Sequence, residues 1–215
     1  KEMRISSDAP PPTYLEDDKK FELPERFLSS QNFNDKLIEY LGDSRREGRP
    51  FFAYAAYSAP HLPLQASDEA LLRYRGRYNA GYEVTAQQRI EKMKRLGLVQ
   101  PDAKPAPLPG GTRRWSELSA EVKKTSSRSM GGYGSMVSEL DANIGRLIDH
   151  LKASGQYDNT LVMFLSDNGP EGNEWEKDVE NAPWIAKNFD NRIENIGRPN
   201  SFVFQGPAWG QVSAQ

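Results

Sequence analysis

Two short stretches carry residue types that could do chemistry, and the first ends in a carboxylate beside an amide. Asp167 and Asn168 directly follow the apolar run 161–165 and precede Gly169. A carboxylate and an amide oxygen side by side suit a hard cation such as calcium. The same Asp-Asn-Gly sequence is also typical of a simple turn. The residue types alone leave both interpretations open.

His61 is the second candidate, and it stands between Pro60 and Pro63. Proline fixes its own φ and restricts the residue before it, so the backbone around His61 is expected to be stiff. A histidine held in this way suits a catalytic role, although a histidine that only satisfies a loop carbonyl would have the same sequence context. The other histidine, His150, is expected on the surface of a helix.

Both candidates follow apolar runs of strand length, residues 50–57 and residues 161–165. Short continuous apolar runs are typical of strands covered on both faces, as in a parallel sheet. Each run follows a segment of helical periodicity, and this alternation predicts an α/β fold. Because ligand sites gather at the carboxyl ends of such strands, we expect His61 and Asp167–Asn168 at one sheet edge.

The helical segments themselves are predicted from apolar periodicity and from residues that begin or end helices. Gly131, Gly132 and Gly134 should cause a kink or close packing, since glycine costs about 1 kcal/mol against alanine in a helix. The predicted segments are a helix capped by Ser29-Ser30 through Phe33, Leu37, Ile38 and Leu41; one capped by Thr85 through Ile90, Met93 and Leu96 to Gly97; a two-piece helix from Trp115 to Lys152; and a short helix around Trp175, Trp184, Ile185 and Phe189. Residues 1–27 and 190–215 are expected to be irregular.

Composition excludes several classes of function. The formal net charge of -2 and the pI near 5.8 give no electrostatic case for nucleic acid or an anionic membrane as a partner. No stretch approaches the roughly 18 apolar residues of a membrane span. The absence of cysteine rules out disulfides, thiolate metal sites and thiol catalysis within these residues.

A series of motifs in the same order resembles the arylsulfatases, and in particular their bacterial-type branch. The matching stretches are Pro50-Phe51-Phe52-Ala53-Tyr54; Ala59-Pro60-His61-Leu62-Pro63-Leu64-Gln65; Met136-Val137 with Asp141 and Asn143-Ile144-Gly145; Leu165-Ser166-Asp167-Asn168-Gly169; Phe189-Asp190-Asn191; Glu194-Asn195-Ile196-Gly197-Arg198; and Asn200-Ser201. They extend over nearly the whole chain.

The resemblance implies an incomplete alkaline-phosphatase-like α/β fold, with a mostly parallel sheet flanked by helices. It implies hydrolysis of small-molecule sulfate monoesters by a formylglycine nucleophile, with one Ca²⁺ held by three aspartates and an asparagine. Asp167 and Asn168 match the later pair of those metal ligands. His61 matches the catalytic histidine that also binds substrate, through the sulfate and the leaving-group oxygen.

The chain departs from the family pattern in one respect that bears on activity. It has neither a cysteine nor a Ser-x-Pro-x-Arg substitute that could become the nucleophile. We therefore expect residues 1–215 to be an internal part of a sulfatase catalytic domain, without its nucleophile-bearing N-terminal part and its C-terminal part, and inactive alone. An export signal, which many sulfatases carry, would lie outside this stretch. Two alternatives stay open: a phosphodiester or phosphonate monoester hydrolase on the same scaffold, and a non-catalytic calcium-binding remnant.

Overall fold

A computed structural model describes residues 13–174 and 177–214, which form two compact units. One unit comprises Lys1–Pro60 and Met136–Leu165, and the other comprises His61–Ser135 and Ser166–Gln215. Helices make up most of the regular structure.

In the first unit, helix α1 (Ser29–Arg46) packs beside a short antiparallel hairpin, β1 (Leu15–Glu16) with β2 (Lys19–Lys20). An ion pair of 2.7 Å between Lys36 Nζ and Glu16 Oε1 joins hairpin and helix. The predicted helix is confirmed, with Leu41 buried at 3% exposure. Its predicted cap is wrong: the N-cap is Leu28, whose N–H donates to Asn32 Oδ1 at 3.0 Å.

Helix α4 (Ala120–Ala153) is a single 34-residue helix that contributes residues to both units. It continues through the three glycines, so the prediction of two helical pieces is wrong, while the predicted close packing is confirmed. An added Cβ at Gly132 would lie 3.6 Å from Gly197 Cα, and one at Gly134 would lie 2.7 Å from Tyr78 Oη. His150, expected on the surface, is half-buried.

The second unit contains α2 (Asp68–Tyr74), α3 (Tyr82–Arg95), a 3₁₀ turn (Trp115–Glu117), α5 (Ala182–Asn188) and α6 (Gly206–Ser213). Its core is aromatic and centres on Trp209, which is fully buried. Tyr78, Tyr82 and Trp115 meet the Trp209 ring edge to face at centroid distances of 5.5, 5.6 and 5.9 Å. Such pairs contribute about 0.5–1.5 kcal/mol each beyond the area they bury.

Helices α3 and α5 confirm two predictions, although Trp175 lies outside the described residues. Thr85 does not cap α3, because the helix starts at Tyr82 and the Thr85 hydroxyl donates to the Gly81 carbonyl at 2.8 Å. The prediction that residues 190–215 are irregular is wrong, because helix α6 lies within them. The irregular segment predicted for residues 1–27 contains the β1–β2 hairpin, and residues 1–12 lie outside the described part.

Neither apolar run forms a strand, and the only sheet among the described residues is the β1–β2 hairpin. Residues 161–165 are mostly exposed, with 86% at Leu161 and 76% at Phe164, and Phe52 in the other run is 95% exposed. A strand needs a neighbouring strand to pair its backbone N–H and C=O groups. Neither run is paired with another strand in the described part of the chain, so the parallel sheet predicted from these runs is not formed there.

Candidate functional site

The segment that carries His61 is tied to a segment far away in sequence. Leu62 and Leu64 are buried beneath it, while His61 itself is exposed. Hydrogen bonds between described residues join the two segments: Leu64 N to Val203 O at 3.5 Å, Gln65 Nε2 to Ser201 O at 2.8 Å, and Ala66 N to Gly197 O at 2.9 Å. The backbone stiffness predicted around His61 is thus supplied by contacts with residues 197–203 as well as by the prolines.

The His61 ring has one nitrogen engaged locally. Nδ1 lies 2.8 Å from the Leu62 carbonyl oxygen, which can only accept a hydrogen bond. The proton must therefore be on Nδ1 in that contact. Nε2 has no hydrogen-bond partner among the described residues.

The segment that accepts these hydrogen bonds is stabilised by hydrogen bonds within residues 190–202. Asn191 makes two hydrogen bonds to the Phe202 backbone, donating to its carbonyl at 2.9 Å and accepting from its N–H at 2.8 Å. Arg192 donates to the Asp190 carboxylate from its side chain at 2.9 and 2.8 Å and from its backbone N–H at 3.1 Å. These bonds lower the pKa of Asp190 to about 2, from an ordinary value of 3.8.

Asp167 and Asn168 lie in an exposed turn held by local hydrogen bonds. Asp167 Oδ1 accepts from the Asn168 N–H at 3.1 Å, and Asn168 Nδ2 donates to the Gly169 carbonyl at 2.9 Å. Ser166 Oγ donates to the Asn168 carbonyl at 2.7 Å. Across the described part of the chain, Asp167 Oδ2 and Asn168 Oδ1 bind no other group, and these are oxygens that a calcium ion could use.

The structure brings the predicted site residues into one unit without joining them. His61 and Asp167–Asn168 all belong to the second unit. No hydrogen bond links the histidine to the pair, and no group of three acidic or histidine residues that could hold a metal occurs among residues 13–174 and 177–214. The prediction of a shared sheet edge has no support, because the strands that would form it are absent.

Gln65, Ser201 and Asn191 are structural supports that the sequence analysis left without a role. All three stand inside the motif stretches, so their position was visible in the sequence. Their partners were not, since the Gln65–Ser201 contact joins residues 136 positions apart.

A search for similar proteins gives consistent results over most of the chain. A family model described as Sulfatase matches residues 6–201. An uncharacterized sulfatase of Schizosaccharomyces pombe is 46% identical over 87% of this chain and 34% of its own length. The arylsulfatase of Klebsiella aerogenes is 38% identical over 93% of this chain and 42% of its own length. The multifunctional alkaline phosphatase superfamily protein PehA of Trinickia caryophylli is 30% identical over 72% of this chain and 30% of its own length.

These relatives fix the family but extend well beyond the residues matched. The chain spans only 34% and 42% of the length of the two most similar of the three. None of the helices in the described residues is long and apolar enough to cross a bilayer. With the family model extending over nearly the whole chain, this protein belongs to the sulfatase family.

Proposed function

We propose that this chain works as an internal part of a longer arylsulfatase-type enzyme that hydrolyses small-molecule sulfate monoesters. Family membership supports this proposal, and so does the 38% identity to the arylsulfatase of Klebsiella aerogenes. The observation that carries it is that Asp167 Oδ2 and Asn168 Oδ1 bind no other group among the described residues, in the same unit as His61. The formylglycine nucleophile would come from outside these 215 residues, because the chain contains no cysteine.

Asp167 and Asn168 would supply two oxygen ligands of a calcium site. Calcium takes six to eight oxygen ligands, so further protein ligands would come from outside this chain. A bound divalent cation would stabilise the charge on the sulfuryl oxygens. Because Asn168 contributes a neutral oxygen, the site would repel an anionic sulfate less than a site made of carboxylates alone.

His61 would act on the leaving group. Cleavage of a sulfate ester builds negative charge on the departing alcohol oxygen, and a positioned acid relieves that charge. The Nδ1–H donated to the Leu62 carbonyl would keep the ring in place, while Nε2–H of the protonated ring donates to the leaving oxygen.

The alkaline-phosphatase-like fold with a mostly parallel sheet is part of the same proposal. Residues 50–57 and 161–165 would be strands in the longer protein, paired there with segments that this chain does not contain. The support is their composition and exposure, since five consecutive apolar residues from Leu161 to Leu165 are each at least 47% exposed. Slow amide hydrogen exchange at residues 161–165 of the longer protein is expected, and rapid exchange there would contradict the sheet.

The calcium site is tested by Asp167→Asn in the longer protein. Asp178→Asn is the matched control, because Asp178 is also exposed and accepts a backbone hydrogen bond in a turn, from Glu180 N at 2.9 Å. Calorimetric titration with Ca²⁺ should show weaker binding for the Asp167 variant only, together with lower sulfatase activity. Equal affinity in both variants would support the turn interpretation instead.

The broader superfamily supplies the competing activity, a phosphodiester or phosphonate monoester hydrolase. It is favoured by the 30% identity to PehA, a protein described as a multifunctional alkaline phosphatase superfamily member. Comparing kcat/KM for an aryl sulfate and an aryl phosphodiester separates the two, and a higher value for the diester would overturn our choice.

The non-catalytic alternative is decided by mass spectrometry of the native protein. A mass well above 24.3 kDa, with a formylglycine peptide, is expected of a working sulfatase. A mass near 24.3 kDa would leave no nucleophile and favour a calcium-binding remnant.

A further inference from the structure

The orientation of the His61 ring depends on the backbone that carries it. Among the described residues, the ring nitrogen Nδ1 contacts the carbonyl oxygen of the adjacent Leu62, so the position of the ring follows that of the carbonyl. Whatever fixes the backbone of residues 61–66 therefore also fixes where Nε2 points. A misplacement of about 1 Å in a catalytic group can cost on the order of 100-fold in rate.

One of the hydrogen bonds that join this backbone to residues 197–203 is made by a side chain, that of Gln65. The bonds from Leu64 and Ala66 are made by main-chain atoms, and only proline, which lacks the N–H, would remove them directly. The Gln65 amide donates to the Ser201 carbonyl at 2.8 Å, shorter than the 3.5 Å of the neighbouring Leu64 bond. Gln65 is thus the tie that a mutation can remove while the main chain keeps its own hydrogen bonds.

The carbonyl that receives this bond is itself held in place. Ser201 is fully buried, and its hydroxyl accepts from the Gly197 N–H at 3.1 Å and donates to the Arg198 carbonyl at 3.0 Å. On the other side, Phe202 is fixed by the paired bonds with Asn191. A donor that binds a fixed acceptor is itself held in one position.

We propose that Gln65 is a positioning residue for His61, acting through its hydrogen bond to the Ser201 carbonyl. This inference rests on the catalytic role proposed for His61. Residues that hold a metal-binding histidine in orientation change affinity or activity by about 10–100-fold when they are removed. A similar loss of kcat, with a smaller change in KM, is expected for Gln65→Leu.

The test is a double-mutant cycle of Gln65→Leu and His61→Ala in the longer protein, with an aryl sulfate as substrate. If Gln65 acts through His61, Gln65→Leu lowers kcat about 10–100-fold in the native background and has no further effect beside His61→Ala. Gln87→Leu is the matched control, because Gln87 is exposed on α3 and bonds only locally, to Glu91 at 3.0 Å. Its kcat should equal that of the native protein.

The outcomes separate this inference from the proposed function. A loss for Gln65→Leu of equal size in both backgrounds means a general structural role and overturns the inference alone. An unchanged kcat in Gln65→Leu does the same. An unchanged kcat in His61→Ala overturns the role proposed for the histidine. Gln65→Glu, which keeps the size of the side chain without its N–H donor, should repeat the result of Gln65→Leu. If both Gln65 variants fail to fold, the bond serves the fold and the inference is wrong.

Discussion

Replacing Gly134 by alanine should destabilise the protein, against the preference of helices for alanine. Gly134 is buried in α4, and a Cβ built there lies 2.7 Å from Tyr78 Oη and 2.8 Å from two ring carbons of Tyr74. The two tyrosine rings stack at a centroid distance of 6.4 Å, and Tyr78 is backed by the fully buried Trp209. The rings therefore have little room to move aside for a new methyl group.

The size of the effect follows from two opposing terms. Glycine to alanine in a helix interior gains about 1 kcal/mol in helix propensity. Forcing a methyl group into a packed contact costs about 1–3 kcal/mol. Gly134→Ala should therefore lower the free energy of unfolding by up to about 2 kcal/mol.

Gly145 provides the control within the same helix. A Cβ at Gly145 meets no atom within 4 Å, so Gly145→Ala should raise the free energy of unfolding by about 1 kcal/mol. Urea unfolding of the longer protein, followed by tryptophan fluorescence, should separate the two variants by about 1–3 kcal/mol. Because helix propensity contributes equally to both, the difference reports the tyrosine contact alone. Equal shifts in the two variants would refute the packing described for α4.

Three further outcomes are expected. His61→Ala should slow hydrolysis of alkyl sulfates more than that of nitrophenyl sulfates, by a factor within the roughly 10²–10⁴ of general acid catalysis, and equal losses would rule out an acid role. In an NMR titration, the Asp190 carboxyl should show a pKa of about 2 that rises toward 3.8 in Arg192→Gln. Because that pKa is lowered by folding, its stabilising effect is complete above pH 4 and is lost as the pH falls toward 2. Asn191→Ala should cost about 1–3 kcal/mol, since it leaves the buried Phe202 N–H and C=O unpaired, and urea unfolding measures the loss.

The helices could be predicted because their determinants lie close together in sequence. In α1, the spacing of Phe33, Leu37 and Leu41 defines one apolar stripe, and the structure buries Leu41 within it. Caps were less predictable. Ser29 and Thr85 have suitable side chains, but the backbone of α1 begins beyond Leu28, where Asn32 supplies the oxygen from inside the helix.

The apolar runs show the limit of a local pattern. Residues 161–165 have the composition of a covered strand, which indicates that the segment should be buried. That pattern does not indicate which segment covers it, because strand pairing joins residues distant in sequence. Within the described residues no such segment is present, and an apolar run without a neighbouring strand forms no sheet.

The Asp167–Asn168 turn and His61 differ in whether neighbouring or distant residues determine their structure. The turn at Asp167–Asn168 is closed by hydrogen bonds among residues 166–169, so its conformation is determined by neighbouring residues. The proposed metal role, in contrast, depends on oxygen ligands from outside this chain. His61 is the reverse case. Its residue type and its flanking prolines are local, but the bond that holds its segment comes from Ser201, 136 positions after Gln65. Loss of activity in Gln65→Leu that disappears beside His61→Ala would therefore show that the distant contact, in addition to the local prolines, sets the position of the histidine.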